Sequence, residues 1–174
     1  MRRRRLLAAA AGVLASGCGY ALQGRGITTD SSIKRIGVPL FKDRSGKPGL
    51  DARVTQAVVE ELLKRGRFTI VKETTNVDAI VEGEIVVWNV VPVNFNSETG
   101  TTQATRYAIS LTASVVYRKI GQKEPIWAND AFSQRDEYDM GQNAQSYFDM
   151  EEQSIERLAA AFARSVVAAM LEAF

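Results

Sequence analysis

The feature that most constrains this chain is a pair of long extended segments joined by a short turn. From Tyr107 to Tyr117 every second residue is apolar (Tyr107, Ile109, Leu111, Ala113, Val115, Tyr117), and Arg106, Ser110, Thr112, Ser114 and Arg118 occupy the alternate positions. A period of two puts these sets on opposite faces of a strand. The segment before it, Ala79 to Phe95, carries Val81, Ile85, Val87, Val91, Val93 and Phe95 on one face, interrupted by Gly83 and Asn89. That assignment leaves Trp88 on the opposite face. Pro92 donates no ladder hydrogen bond, so a bend, a bulge or an edge position is expected there. Asn96-Ser97-Glu98-Thr99-Gly100 reads as the turn between the two. A sheet with one apolar and one wet face is antiparallel and covered on a single side.

The cover is also written in the sequence. Leu50, Val54, Ala57, Val58 and Leu62 share a helical stripe over Leu50–Arg65, and Gly66 after Lys64 and Arg65 is a stop signal. Ile155, Leu158, Ala159, Phe162, Val166, Ala169 and Met170 form a second stripe, predicting a helix over Asp149–Phe174 with Asp149 and Glu152 as a capping box. Three further strands are expected: Ile33–Phe41, with Ile36, Val38 and Leu40 on one side; Phe68–Lys72; and Ile126 to about Gln134. Asp136–Ser146 reads as polar and irregular. The order β-α-β-β-β-β-α predicts an α/β (α+β) fold. It is a two-layer sandwich whose mostly antiparallel or mixed sheet of about four to five strands is covered on one face by two helices.

The N-terminus reads as an address. Arg2 to Arg5 form a positive region, and Leu6–Ala15 is apolar but too short to span a bilayer. The exit Leu14-Ala15-Ser16-Gly17-Cys18 looks like a bacterial lipobox, although Ala15 stands where leucine is usual. The expected boundaries are a lipoprotein signal peptide over 1–17, a lipid-anchored tether over 18–32 and a single domain over 33–174. Cys18 is the expected lipidation site, carrying a covalent diacylglycerol and an N-acyl chain. Several acyl chains hold a protein firmly to a bilayer. Gly19, rather than an aspartate, follows the cysteine, which favours the outer membrane on its periplasmic side.

Composition narrows the function. Removing the four arginines of residues 1–17 from the 22 basic residues leaves 18 against 20 acidic ones. No excess positive field remains to pair with nucleic-acid phosphates. The chain has no histidine and a single cysteine. It therefore lacks the usual near-neutral proton shuttle, an internal disulfide and a thiolate metal cage. No enzyme, cofactor or metal site is expected.

Several segments together resemble the LptE family of lipopolysaccharide-assembly lipoproteins, in the manner of a short, divergent member. They are Gly17-Cys18-Gly19-Tyr20; Ile36-Gly37-Val38-Pro39-Leu40-Phe41-Lys42-Asp43-Arg44-Ser45; Gly49-Leu50; Asp78-Ala79-Ile80-Val81-Glu82-Gly83-Glu84; and Arg106-Tyr107. The resemblance implies a partner, the large outer-membrane β-barrel LptD. It implies further that the lipoprotein sits partly inside that barrel as a plug, aids its assembly and can bind lipopolysaccharide. The alternative is a periplasmic scaffold lipoprotein of a secretion or envelope-assembly apparatus.

Two residue groups are candidates for these contacts. Ser110, Thr112 and Ser114 offer hydroxyls to a polar barrel wall, or simply face water. Arg118, Lys119 and Lys123 are the lead for lipopolysaccharide phosphates, with edge protection by Lys and Arg as the plainer account. Asp43, Arg44, Ser45 and Lys47 read as turn chemistry rather than a phosphate cradle. Glu82 and Glu84 share a strand face, and Asp136, Glu137 and Asp139 read as an exposed acidic loop.

Overall fold

The computed structural model describes residues 32–65, 67–96, 103–140 and 144–172. The expected signal, the lipidation at Cys18, the tether up to residue 31, the stop at Gly66 and most of the 96–100 turn lie outside these residues.

Among the described residues six strands and two helices follow one another: β1 (Arg35–Gly37), β2 (Lys42–Asp43), α1 (Leu50–Lys64), β3 (Thr69–Val71), β4 (Ala79–Asn96), β5 (Gln103–Lys119), β6 (Trp127–Asp139) and α2 (Ala144–Glu172). They form one sheet in the order β3-β1-β4-β5-β6, with β2 also paired to β4. β1 is parallel to β3 and to β4, whereas β4, β5 and β6 form an antiparallel meander. The sheet is therefore mixed, and both helices cover one face of it.

The expected strand over 33–41 is two short pieces. β1 and β2 both run parallel to β4, at Ala79–Ile80 and at Glu84–Ile85, and Pro39 lies in the gap between them. Ile36 and Val38 are buried as expected, but Leu40 is 61% exposed and Phe41 takes the core position instead. Proline fixes the backbone and lacks an N–H, which breaks the alternation at that point. The Phe41 ring occupies the space where Gly83 of β4 has no Cβ. Its N–H donates to Thr55 Oγ1 of α1 at 3.0 Å.

The core lies between the sheet and the helices. Leu50, Val54, Val58 and Leu62 of α1 face it, as do Ile155, Leu158, Phe162, Val166 and Met170 of α2. From the sheet come Ile36, Val81, Ile85, Ile109, Leu111, Ala113, Val115 and Tyr117, the β5 members being those that the alternation predicts. The helices lie side by side, joined at their N-terminal regions by ion pairs Lys47–Glu151 (2.8 Å) and Arg53–Glu152. At 29 residues, α2 is about 43 Å long.

β4 departs from its expected face. A register shift between Ile85 and Val87 makes Val86 an extra residue, a β-bulge. Below the bulge Val81 and Ile85 are fully buried. Above it Val87 pairs with Thr112, Asn89 with Ser110 and Val91 with Ala108, all on the open face. Val87 and Val91 are accordingly exposed; Val93 and Phe95, at further register shifts between Pro92 and Asn94 and between Asn94 and Phe95, are exposed as well. Trp88 and Val90 pair with Leu111 and Ile109 and pack against the core. The expectation that Trp88 faces away from the core is thus overturned by one inserted residue.

Two other boundaries move. Asp136, Glu137 and Asp139 belong to β6, which runs to Asp139 and pairs with β5 as far as Arg106. α2 begins at Ala144, so Asp149 lies inside the helix and no capping box forms around it. Tyr147 explains the extra turn: its ring packs on Tyr107 and Tyr138 with centroids 5.9 and 6.0 Å away.

Candidate functional site

The uncovered face of the sheet is the surface the fold leaves available. Its centre is the Ser110, Thr112, Ser114 row of β5, flanked by Asn89 and Val87 of β4 and by Ser133 and Arg135 of β6. All three hydroxyl residues are partly exposed and lie on one face, as the alternation predicts. Thr112 Oγ1 and Ser133 Oγ are 2.8 Å apart, so that hydroxyl pair satisfies itself across the strands. Ser110 and Ser114 have no side-chain hydrogen bond to any described residue.

Charges surround this row in pairs. Arg106 Nε donates to Asp139 Oδ1 at 2.8 Å, which together with the aspartate's charge raises the arginine's pKa further. Arg118 Nε meets Glu82 Oε2 at 3.0 Å, Arg44 Nε meets Glu84 Oε1 at 2.6 Å, and Arg135 Nη2 meets Glu137 Oε1 at 2.8 Å. Glu82 and Glu84 are thus ion-paired carboxylates rather than a proton-sharing couple. The face is polar and close to charge balance. Exposed pairs of this kind contribute little to stability, but they make a hydrated surface with many hydrogen-bonding groups.

The three candidate cations do not converge. Arg118 and Lys119 are consecutive on β5 and so project to opposite faces. Arg118 is held by Glu82, and Lys119 Nζ donates to Ser32 Oγ at 2.8 Å, at the end where the chain enters the domain. Lys123 is exposed in the turn after β5. Asp43, Ser45 and Lys47 do form turn chemistry: the Ser45 N–H donates to Asp43 Oδ1 at 2.7 Å, and Lys47 reaches Glu151 while its ammonium lies 5.9 Å from the Trp88 ring centre.

Asp78 closes the entry end. Its Oδ2 accepts the backbone N–H groups of Lys34 and Arg35, both at 2.8 Å, and its own carbonyl accepts the Ile120 N–H. Those two backbone donors hold its carboxyl below the usual range. At the other end Tyr138 is buried and bonded to the Tyr147 hydroxyl at 3.3 Å. Burial first, and that bond second, push its phenol well above the ordinary tyrosine range.

Sequence reasoning missed the β6 contribution to the open face. The signal was weak, because beyond Trp127 and Phe132, Tyr138 is the one aromatic residue on its inner side. Among the described residues no group of three or more His, Cys, Asp or Glu is placed to hold a metal ion. Nor is any described helix long and apolar enough to cross a membrane.

Known structures share this architecture at low identity. The hypothetical protein CT253 of Chlamydia trachomatis superposes with a TM-score of 0.55 at 10% identity, covering 79% of this chain and 95% of that one. XCC0632 of Xanthomonas campestris gives 0.53 at 7% identity, covering 81% and 85%. The rare lipoprotein B of Shewanella oneidensis gives 0.52 at 13% identity, covering 79% and 93%. At such identities they speak for the fold alone. The family is decided by a sequence-model match described as LptE, lipopolysaccharide-assembly, over residues 33–170, which takes in the six described strands, α1, and α2 as far as Met170. The chain belongs to the LptE lipopolysaccharide-assembly family.

Proposed function

We propose that this chain is a lipid-anchored outer-membrane lipoprotein that occupies the lumen of an LptD-like β-barrel and assists its assembly and the passage of lipopolysaccharide. The family match over residues 33–170 carries the reading. The open sheet face agrees with it, since a barrel of many strands has a polar lumen and a polar, charge-balanced surface suits such a wall. The Ser110 and Ser114 hydroxyls are the groups assigned to that wall, with Thr112 contributing through its bond to Ser133. The role is one of shape and contact, without catalysis. The lipobox-like Gly17-Cys18 supports acylation at Cys18, and Gly19 supports outer-membrane placement on the periplasmic side. Arg118, Lys119 and Lys123 are assigned to lipopolysaccharide contact as separate cations rather than as one pocket.

A photoreactive residue at Ser114, in the full chain expressed in its envelope, tests the central claim. Capture of a large β-barrel is expected. Capture of further copies of the chain, with no barrel, would overturn the reading in favour of a self-associating envelope scaffold. Replacing Arg118, Lys119 and Lys123 together by Ser is expected to weaken lipopolysaccharide binding while leaving the fold intact. Unchanged binding removes that assignment alone.

A further inference from the structure

Across β6 from the open face lies a cleft between that strand and α2. Its volume is about 340 Å³, and its walls are Gln134, Arg135 and Asp136 of β6 and Arg157, Ala160, Ala161 and Arg164 of α2. The four α2 residues are spaced i, i+3, i+4, i+7, so they form one stripe along the helix. The two alanines make a low floor, and an arginine stands at each end. Three arginines and one aspartate are among the residues that line the space.

Among the described residues β6 is the outermost strand of the sheet, and none of them adds a further strand to its outer backbone groups. Side chains already cover two of those carbonyls: Gln134 Nε2 donates to the Arg135 oxygen and Arg157 Nη2 to the Glu137 oxygen, both at 3.5 Å. Covering the acceptors disfavours addition of a strand at this edge and leaves the cleft rich in donors. Arg157 is fixed by Asp136, whose Oδ2 accepts from Arg157 Nε at 3.1 Å and from Ser154 Oγ at 2.7 Å. Arg135 spends one N–H on Glu137. Arg164 has no carboxylate partner among the described residues. A guanidinium carries five N–H donors, so most of those in the cleft stay available.

We propose that this cleft is an anion site for a phosphomonoester carried on a sugar, with Arg164 and Arg135 as the main donors and Arg157 as a pre-positioned third. Arginine forks match the oxygens of a phosphate, and the two carboxylates that pair here, Asp136 and Glu137, leave the positive charge of Arg164 unanswered among the described residues. The volume lies in the range of small-molecule sites. It accommodates a sugar ring over the alanine floor, where a bare phosphate would leave much of it empty. The same chemistry is presented by a soluble sugar phosphate and by a phosphorylated glycolipid head group. The site goes beyond the barrel-plug reading, shares only Arg135 with the open face, and includes none of Arg118, Lys119 and Lys123.

The test uses the full chain in detergent micelles, with glucose 6-phosphate, glucose and lipopolysaccharide as probes. The arginine Nε–H resonances of residues 135, 157 and 164 report the site directly by NMR. Saturable shifts of all three with glucose 6-phosphate, and none with glucose, are expected. The Arg135→Gln, Arg164→Gln double variant should bind at least tenfold more weakly. Arg164→Gln alone, at an exposed position that removes no described ion pair, provides a variant with no expected folding defect and should also bind more weakly. Competition by lipopolysaccharide would mark a glycolipid source, and its absence a soluble one; either result supports the site. No shift with any phosphate-bearing probe, or undiminished binding in the double variant, overturns it. None of these readouts depends on barrel capture, so the two proposals fail separately.

Discussion

Both halves of β4 carry β-branched apolar residues, and these meet opposite fates. Below Val86 the strand is gripped on one edge by β1 and β2 and on the other by β5, and Val81 and Ile85 are fully buried under α1 and α2. Above Val86 it is paired to β5, with neither β1 nor β2 beside it, and Val87 and Val91 stand in solvent on the open face. The same residue type at the same two-residue period is core in one half and surface in the other. The inserted Val86 does this for the stretch up to Pro92, because shifting a strand by one turns the side chains that follow over. Burial in this sheet is set by register as much as by hydrophobicity.

The comparison breaks most visibly at Ile85 and Val87, two residues apart across the bulge. Ile85→Ala removes fully buried methyl groups between sheet and helices, and a loss of about 2–5 kcal/mol in urea unfolding is expected. Val87→Ala, at 46% exposure, should stay within about 0.5 kcal/mol of the parent. Equal losses at the two sites would show that the upper half is covered after all.

Gly83 sharpens the comparison from inside the lower half. A Cβ at this position falls within the Phe41 ring, so Gly83→Ala is an overpacking change expected to cost about 1–3 kcal/mol. The cost should be relieved when Phe41 is also cut to Ala, giving a favourable coupling of about 0.5–3 kcal/mol in a double-mutant cycle. Additive effects would mean the ring and the glycine are not opposed. An alanine at Asn89, in the upper half, should show no coupling to Phe41.

These contrasts explain what could be read in advance. β5 was legible because its alternation runs unbroken from Tyr107 to Tyr117, each apolar member backed by a helix. The face of upper β4 was not, since Val86 and Val87 are identical and nothing in the residues says which one is extra. β6 beyond Gln134 is polar on most positions; the ladder to Ile109 and Tyr107 makes it a strand, and that ladder is non-local. The start of α2 was placed late because Asp149 and Glu152 mimic a cap, whereas the aromatic contact of Tyr147 with Tyr107 and Tyr138 carries the helix upstream. Site chemistry was harder still. Arg118 and Lys119 look clustered because they are adjacent in sequence, yet adjacency on a strand separates them. Arg135, Arg157 and Arg164 are far apart in sequence and meet only through the packing of α2 on β6. The family signature was legible for a related reason: Phe41, Asp78 and Gly83 are joints of the scaffold, and such joints leave local residue patterns.

The smallest expected effect tests the base of the lower half, where Asp78 ties β1 to the start of β4 through two backbone N–H bonds. Those bonds lower its folded-state pKa beneath the ordinary value of 3.8. In the folded chain the carboxylate therefore holds its proton more weakly than in the unfolded one. The stabilisation it provides is fully present above the unfolded value and is lost as pH falls through the lower folded value. Asp78→Asn keeps the shape but replaces the charged acceptor with a neutral one. A modest drop in melting temperature is expected at pH 7, shrinking as the pH falls below about 4, where the parent's own carboxyl becomes protonated. A melting-temperature difference that stayed constant from pH 7 to pH 2 would assign the effect to shape rather than charge. It would also separate this joint from the open-face ion pairs, whose exposed partners are screened by salt.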